Sequence, residues 1–244
     1  MTKLAFTLPA LLAATAITVA AAPWGEDGGN EIELDEAEVF IEFNSTDGDF
    51  GIQFFWDGEP WRKMNLESPD EEIIMRVKID ENLKEQGMTE GFFESAEPSV
   101  EELSMAEFLD RFPAGEYEYE GRTLDEIEIE GETELTHDLP SPPSNLSPGD
   151  DEVVAFDRPV ILSFDAVTTT LDGDPIVPEL YEIVLETEDE ILKVLSVIID
   201  GDEANPSLTV PPEFLEPGTE YKFEVIVQEE SHNRTISETV FFTK

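Results

Sequence analysis

Chemistry near neutral pH needs a base, a nucleophile or a set of metal ligands, and this chain is sparing with most of the residues that supply them. Its only two histidines are His137, beside Asp138, and His232, in the polar stretch Glu230-Ser231-His232-Asn233-Arg234-Thr235. No Gly-x-Ser-x-Gly and no His-Glu-x-x-His occurs, so neither histidine has a nucleophile or a metal partner at a recognised spacing. Both are expected to be exposed polar side chains, and no catalytic residue is assigned. The chain has no cysteine, which removes thiolate nucleophiles, thiolate zinc sites, disulfides and a lipidated cysteine together. Carboxylates present the opposite difficulty. With 59 Asp and Glu, countless acid–base pairs are available and none stands out. A hydrolytic pair also needs one carboxyl in an apolar pocket that raises its pKa. No glycine loop has phosphate-cradling spacing.

Two acidic glycine turns could hold a hard cation. Thr46-Asp47-Gly48-Asp49-Phe50-Gly51 and Leu171-Asp172-Gly173-Asp174 place carboxylates two residues apart, as calcium loops do. The longer loop pattern with its closing Glu is missing, and Asp-Gly is ordinary turn vocabulary. The turn reading is preferred; no cofactor is assigned, and calcium is the one left open. Phe54, Phe55, Trp56 and Trp61 crowd one segment, and strand alternation cannot point all four inward. Core packing is the first expectation for them, while an exposed Trp56 or Trp61 could stack on a sugar ring. Asn44, Asn145 and Asn233 head formal glycosylation sequons, which matter only in a eukaryotic host.

The charge balance narrows the partners. Against those 59 acids stand 13 basic residues, for a formal net charge of −46 in 244 residues. Such a surface repels phosphate backbones and anionic lipid heads, so neither nucleic acid nor an acidic membrane is expected as a partner. It suits salty water, where counterions screen self-repulsion. At the start of the chain, Lys3, an apolar stretch over 4–19 and Val19-Ala20-Ala21 read as a signal peptide over 1–21. The cut is placed after Ala21, because a cut after Ala22 would put Pro23 at the scissile bond. A secreted or periplasmic protein with no membrane insertion after signal removal is the expectation.

The elements that would position any site are predicted to be strands. Residues 136–152 carry four prolines among turn formers and read as a linker. Beyond them, strand-like runs recur at Val160–Phe164, Tyr181–Leu185, Ile191–Ile199, Ser207–Val210, Tyr221–Val227 and Ile236–Phe242, the spacing of an antiparallel two-sheet sandwich. One motif is specific. Leu215-Glu216-Pro217-Gly218-Thr219-Glu220-Tyr221, followed by alternating apolar residues, resembles the corner of a fibronectin type III domain, and the likeness extends over residues 141–244. It implies that the Tyr221 hydroxyl bonds main chain at the crossover between sheets, with Leu215 plugging the core. Phe164 stands where that family usually carries tryptophan, and the family's Arg-Gly-Asp tripeptide is absent, so its integrin binding is not implied.

In the first half, Val39, Ile41 and Phe43 share a face, as do Ile73, Met75, Val77 and Ile79. Asp57-Gly58 is a hairpin signal, and Pro60 would push the next strand to a sheet edge. Ser104 and Glu107 form a capping box before Met105, Phe108, Leu109 and Phe112, which predicts a short helix stopped by Pro113. A looser helix is expected over Glu81–Gln86. Tyr117 and Tyr119 alternate after Phe112-Pro113-Ala114-Gly115, a faint echo of the later corner. The expected fold is therefore mainly β, with two antiparallel β-sandwich domains. The organisation is a signal at 1–21, an acidic lead at 22–31, an N-terminal β-rich domain with a short helix insertion at 32–138, a proline-rich linker and first strand at 139–150, and the fibronectin type III-like domain at 151–244. This build is similar to that of secreted bacterial proteins carrying such a domain. It implies a non-catalytic binding or spacer role towards a protein or polysaccharide partner at or outside the cell envelope. A small carbohydrate-active hydrolase with its site in the N-terminal half and a calcium-stabilised adhesin-like protein are the alternatives.

Overall fold

The computed structural model describes residues 31–187 and 193–244. The signal predicted over 1–21, nearly all of the acidic lead, and the start of the strand expected at 191 lie outside the described residues. The chain is mainly β, as its alternating patterns require. Its first half runs β1 (Glu31–Glu33), β2 (Glu36–Asn44), β3 (Asp49–Glu67), β4 (Ile73–Lys78), α1 (Glu81–Gln86), β5 (Met88–Glu94), α2 (Met105–Arg111), β6 (Gly115–Thr123) and β7 (Glu128–Leu135). The second half runs β8 (Ser144–Ser147), β9 (Glu152–Val154), β10 (Val160–Asp165), β11 (Leu180–Thr187), β12 (Lys193–Asp200), β13 (Ser207–Val210), β14 (Glu220–Gln228) and β15 (Arg234–Thr243).

The first half is organised by β3. Its N-terminal part pairs with β2 and β5, and its C-terminal part with β6 and β4. The hairpin expected at Asp57-Gly58 does not form: the strand continues through Asp57-Gly58-Glu59-Pro60 with its register to β5 shifted between Asp57 and Trp61. Pro60, which has no N–H to donate, falls inside that break, where no ladder bond is lost. A Cβ at Gly58 would stand 3.0 Å from Leu34 Cδ2, a tight contact that glycine avoids. Trp56 and Trp61, at either end of the break, are both buried, with ring centroids 5.6 Å apart. Val39, Ile41, Phe50, Ile52 and Leu66 complete the core around them. In β4 the expected apolar face is only partly covered; Ile79 is buried while Ile73 is exposed. Both helices form where capping and periodicity placed them. The Ser104 hydroxyl accepts from the Glu107 N–H while Glu107 reaches back, and Phe108 is buried under α2. α1 ends at Gly87, whose φ of 78° suits glycine.

The second half is a two-layer sandwich. β13, β10 and β8 form one layer; β12, β11, β14 and β15, with β9 on the far side of β15, form the other. Leu162 and Phe164 of the small layer meet Tyr181, Ile183, Leu185, Phe223 and Val225 of the large one. Phe164 fills its site with an edge-on contact to Tyr181, centroids 5.0 Å apart. The Tyr221 corner is as expected: its ring is buried, stacks on Phe241, and its hydroxyl accepts the Glu216 N–H at 2.8 Å. The same device recurs throughout. All four tyrosines of the chain are buried, and Tyr117, Tyr119 and Tyr181 also bond main chain, at Pro113, Glu38 and Val167.

The junction between the halves is not a tether. Arg234, Thr235 and Ile236 of β15 pair in parallel with Glu42, Phe43 and Asn44 of β2, so one sheet runs β1-β7-β6-β3-β2-β15-β14-β11-β12. Asn233, fully buried, fixes the seam. Its Oδ1 accepts the Ile41 N–H at 2.8 Å and its amide donates to the Thr136 carbonyl and hydroxyl. Thr235 donates to the Pro140 carbonyl at 2.7 Å, and Ser45 bonds the Ile236 carbonyl through both its N–H and its hydroxyl. The sequon at Asn233 is thus spent on packing. Two corrections concern the histidines. His137 is half-buried with its Nε2 2.8 Å from the Phe112 carbonyl, and His232 places Nδ1 3.4 Å from the Glu38 carboxylate across the seam.

Tyr221→Phe keeps the ring but leaves the Glu216 N–H without its acceptor. It is expected to cost about 1–3 kcal/mol in urea unfolding at constant slope; a cost indistinguishable from zero would mean the hydroxyl does not hold the corner.

Candidate functional site

The side chains best placed for chemistry lie on the outer face of the sheet beside this seam. In β2, Val39 and Ile41 are committed to the core, so alternation turns Phe40 and Glu42 to the other face. In β3, Phe50, Ile52 and Phe54 face the core, which sends Gly51 and Gln53 to the side that Glu42 occupies. Gln53 stands opposite Glu94 of β5. Past the end of β5, Ser95 keeps the pairing going: its N–H donates to the Ile52 carbonyl and its hydroxyl accepts the Ile52 N–H. That brings Glu97 back over Gly51. A Cβ there would lie 3.1 Å from Glu97 Cγ, so glycine makes the close approach possible.

The outcome is that Glu42, Glu94 and Glu97 bring one carboxylate oxygen each to within 4.8 Å of one another. Glu42 is half-buried, the other two exposed. Burial pushes the Glu42 carboxyl up to about 7, with Glu94 adding to the rise and Arg234 opposing it. Burial, then Glu94, Glu42 and Asp49, push Glu97 up to about 7 as well. Gln53 is 2% exposed, lies beside Glu42 and lowers its pKa somewhat, and its Oε1 has no partner. Arg234 is occupied elsewhere, donating from Nε to Gln228 at 2.8 Å and lying 4.4 Å over the Phe40 ring. Beside Glu97 an open groove is lined by Ser95, Glu102, Phe108, Arg111 and Phe112.

A second acidic group lies further along the same face. Lys222 Nζ stands 3.4 Å from Glu186 and 3.7 Å from Glu238, and Glu224 packs beside them. Burial pushes Glu224 up to about 7, against the pull of Lys222.

The residues singled out from sequence fare differently. Asp47 and Gly48 make the tight β2–β3 turn, with Asn44 Oδ1 accepting from the N–H groups of Thr46 and Asp47. Asp49 joins the acidic neighbourhood of Glu97, but the turn itself forms no cation cage. Leu171–Asp174 is an exposed turn closed by the Thr170 N–H on the Asp174 carbonyl. Trp56 and Trp61 are 0% and 2% exposed and give a sugar no platform; the exposed aromatics of this region are Phe92 and Phe93. Sequence reasoning missed Glu42, Gln53, Glu94 and Glu97 as a group. The one available signal was Gly51, inside a stretch singled out for other reasons.

No family model matches this chain, and no curated protein matches it. Among solved structures it is similar to the FN1–FN3 domains of chicken CNTN1, at 12% identity and a TM-score of 0.38, over 86% of this chain. The match spans 64% of the length of that structure. It is also similar to the ligand-binding domain of human OSCAR, at 14% identity and a TM-score of 0.28, over 84% of this chain and 97% of that one. Among the described residues, no helix is long and apolar enough to cross a membrane.

Because the folded-state pKa of Glu224 lies above its ordinary value of 4.5, folding favours the protonated form. Its contribution to stability is therefore present below the unfolded pKa and is lost as pH rises towards 7. Glu224→Gln should raise stability by about 1–3 kcal/mol near pH 8 and leave it unchanged near pH 4. Urea unfolding at both pH values in chelator checks this; equal stability of the two proteins at the higher pH would contradict it.

Proposed function

We propose that this chain is an exported, non-catalytic β-protein acting as a rigid spacer, with its sheet surfaces offered to a partner at or beyond the cell envelope. In this reading residues 32–138 and 151–244 are two units, and 139–150 passes between them as a fixed connection. The observation that carries it is the parallel pairing of Glu42–Asn44 with Arg234–Ile236, together with the buried Asn233. A flexible tether would let two modules reorient, whereas a shared sheet holds the distance and angle between their far ends constant. Burial of Trp56 and Trp61 takes away the stacking platform those two rings would offer a polysaccharide, which favours a protein partner over a glycan bound there. The clustered carboxylates lie on the opposite face of the sheet from those tryptophans, so a carboxylate site built around Trp56 or Trp61 is not favoured.

Two measurements test this. Solution scattering of the full chain should fit one rigid shape at all salt concentrations; a curve demanding several relative orientations of the halves would remove the spacer role. Capture from the native secretome, run beside a glycan array and a hydrolase substrate panel, should return one reproducible protein and no turnover. Turnover abolished by Glu97→Gln would replace the binding role with an enzymatic one.

A further inference from the structure

A strand at the edge of a sheet leaves one row of N–H and C=O groups without a partner, and proteins guard such edges with charge, proline or shortness. Among the described residues, most open edges of this chain are guarded in one of these ways. β1 has three residues, and Glu31 and Glu33 are two of them. β4 carries Arg76 and Lys78, and β5 carries Glu90 and Glu94. β9 has three residues with Glu152 at its head. In the small layer, β8 has four residues between Pro143 and Pro148, and β13 has four between Pro206 and Pro211.

β12 is the exception. It ends the large sheet beyond β11, and among the described residues no strand pairs with its far side. It is eight residues long, and Val194-Leu195-Ser196-Val197-Ile198-Ile199 runs without a charge, a glycine or a proline. That composition is the one that pairs edge to edge. Leu195, Val197 and Ile199, opposite Leu185, Ile183 and Tyr181 on the inner face, are only half-buried, and Ile198 on the outer face is 45% exposed. The nearest carboxylate on the outer face of β11, Glu182, is buried and accepts the Ser196 hydroxyl at 2.5 Å, which keeps its charge off the edge.

We propose that β12 is a self-association edge, at which two copies of this chain pair β12 to β12, antiparallel, about a two-fold axis perpendicular to the sheet. An occupant of this edge must be an extended strand with no acidic residue in its middle, because the chain it approaches has a net charge of −46. It must also turn apolar side chains to the inner face. The β12 of a second copy meets each condition. The axis keeps every residue on its own face, so it passes through one residue, Ser196 or Val197, and brings the inner-face Leu195, Val197 and Ile199 of both copies into one row. Antiparallel pairing separates the two Asp200 carboxylates by about 20 Å or more along the ladder, well past the screening length of about 8 Å; parallel pairing in register would stack them. The rest of each surface still repels its mate, so salt should favour the dimer. This inference goes beyond the spacer reading and does not rest on it, since that reading concerns the joined halves within one copy.

The first test is sedimentation velocity of the full chain over a range of protein concentrations, at low and at molar sodium chloride. A reversible monomer–dimer equilibrium is expected, shifted towards dimer by salt. Ile198→Lys should lose the dimer while keeping a melting temperature near that of the parent, which shows that it folds. Val177→Lys, at a position 72% exposed and outside β12, should keep the dimer. Because the chain has no cysteine, single cysteines report the register. Facing Cα atoms of an antiparallel pair lie about 4.5–5.5 Å apart, within disulfide range. Under mild oxidation, Ser196→Cys or Val197→Cys, whichever lies on the axis, should therefore form a disulfide-linked dimer. Ile161→Cys, exposed on β10, should not. The proposal is overturned if the parent stays monomeric at every concentration and salt or grows beyond a dimer, if Ile198→Lys still dimerises, or if the three cysteine variants cross-link alike. A monomeric parent would leave the spacer role untouched.

Discussion

Three residues of parallel pairing, Arg234–Ile236 against Glu42–Asn44, decide what kind of object this chain is. Without them each half would present an open strand edge, with a row of unpaired N–H and C=O groups, and such edges invite pairing with other molecules. Joined, β2 and β15 each cover one end of the other's edge, and β9 covers another part of β15. The pairing is short, and its ladder alone would hold weakly. It is fixed by groups that have nowhere else to go: Asn233 spends its carbonyl on Ile41 and its amide on Thr136, and Thr235 reaches Pro140. Removing Asn233 would strand donors and acceptors on both sides at once.

A continuous sheet also creates a continuous outer face, and on a chain of net charge −46 that face collects carboxylates. Side chains standing shoulder to shoulder on a sheet lose water even without a second layer above them, which is why Glu42 and Glu224 both hold their protons up to about 7. Where Lys222 is built in, the charges are balanced from within. Where no lysine is built in, the carboxyls hold their protons more tightly instead. The acidic surface and the carboxylate cluster are thus two scales of one electrostatic situation, one diffuse and screened by counterions, the other local and geometric.

Much of the fold was legible because its causes are local. Period-two alternation placed β10, β11, β14 and β15 to within a few residues, and the Ser104–Glu107 capping box placed α2. The Pro217-Gly218 turn before Tyr221 specified a corner whose hydrogen bond spans only five residues, from Glu216 to Tyr221. The reading failed where one local signal met a stronger long-range demand. Asp57-Gly58 has the vocabulary of a hairpin, yet β3 runs on through it, and Trp56 and Trp61 on either side both gain burial in one core.

By itself, then, the sequence determined the strand-rich character, the helix caps, the tyrosine corner and the acidity, since each follows from neighbours along the chain. Only the tertiary structure decided the seam and the carboxylate cluster. Asn233 meets Ile41 across 192 positions of sequence, and nothing periodic in either segment announces the other. Glu42, Gln53, Glu94 and Glu97 read singly as the polar half of ordinary alternation; they become a site because three strands align in register and Gly51 lets the chain after β5 fold back over them. Convergence of that kind depends on strand pairing, and strand pairing is settled by the whole chain's burial and hydrogen bonding.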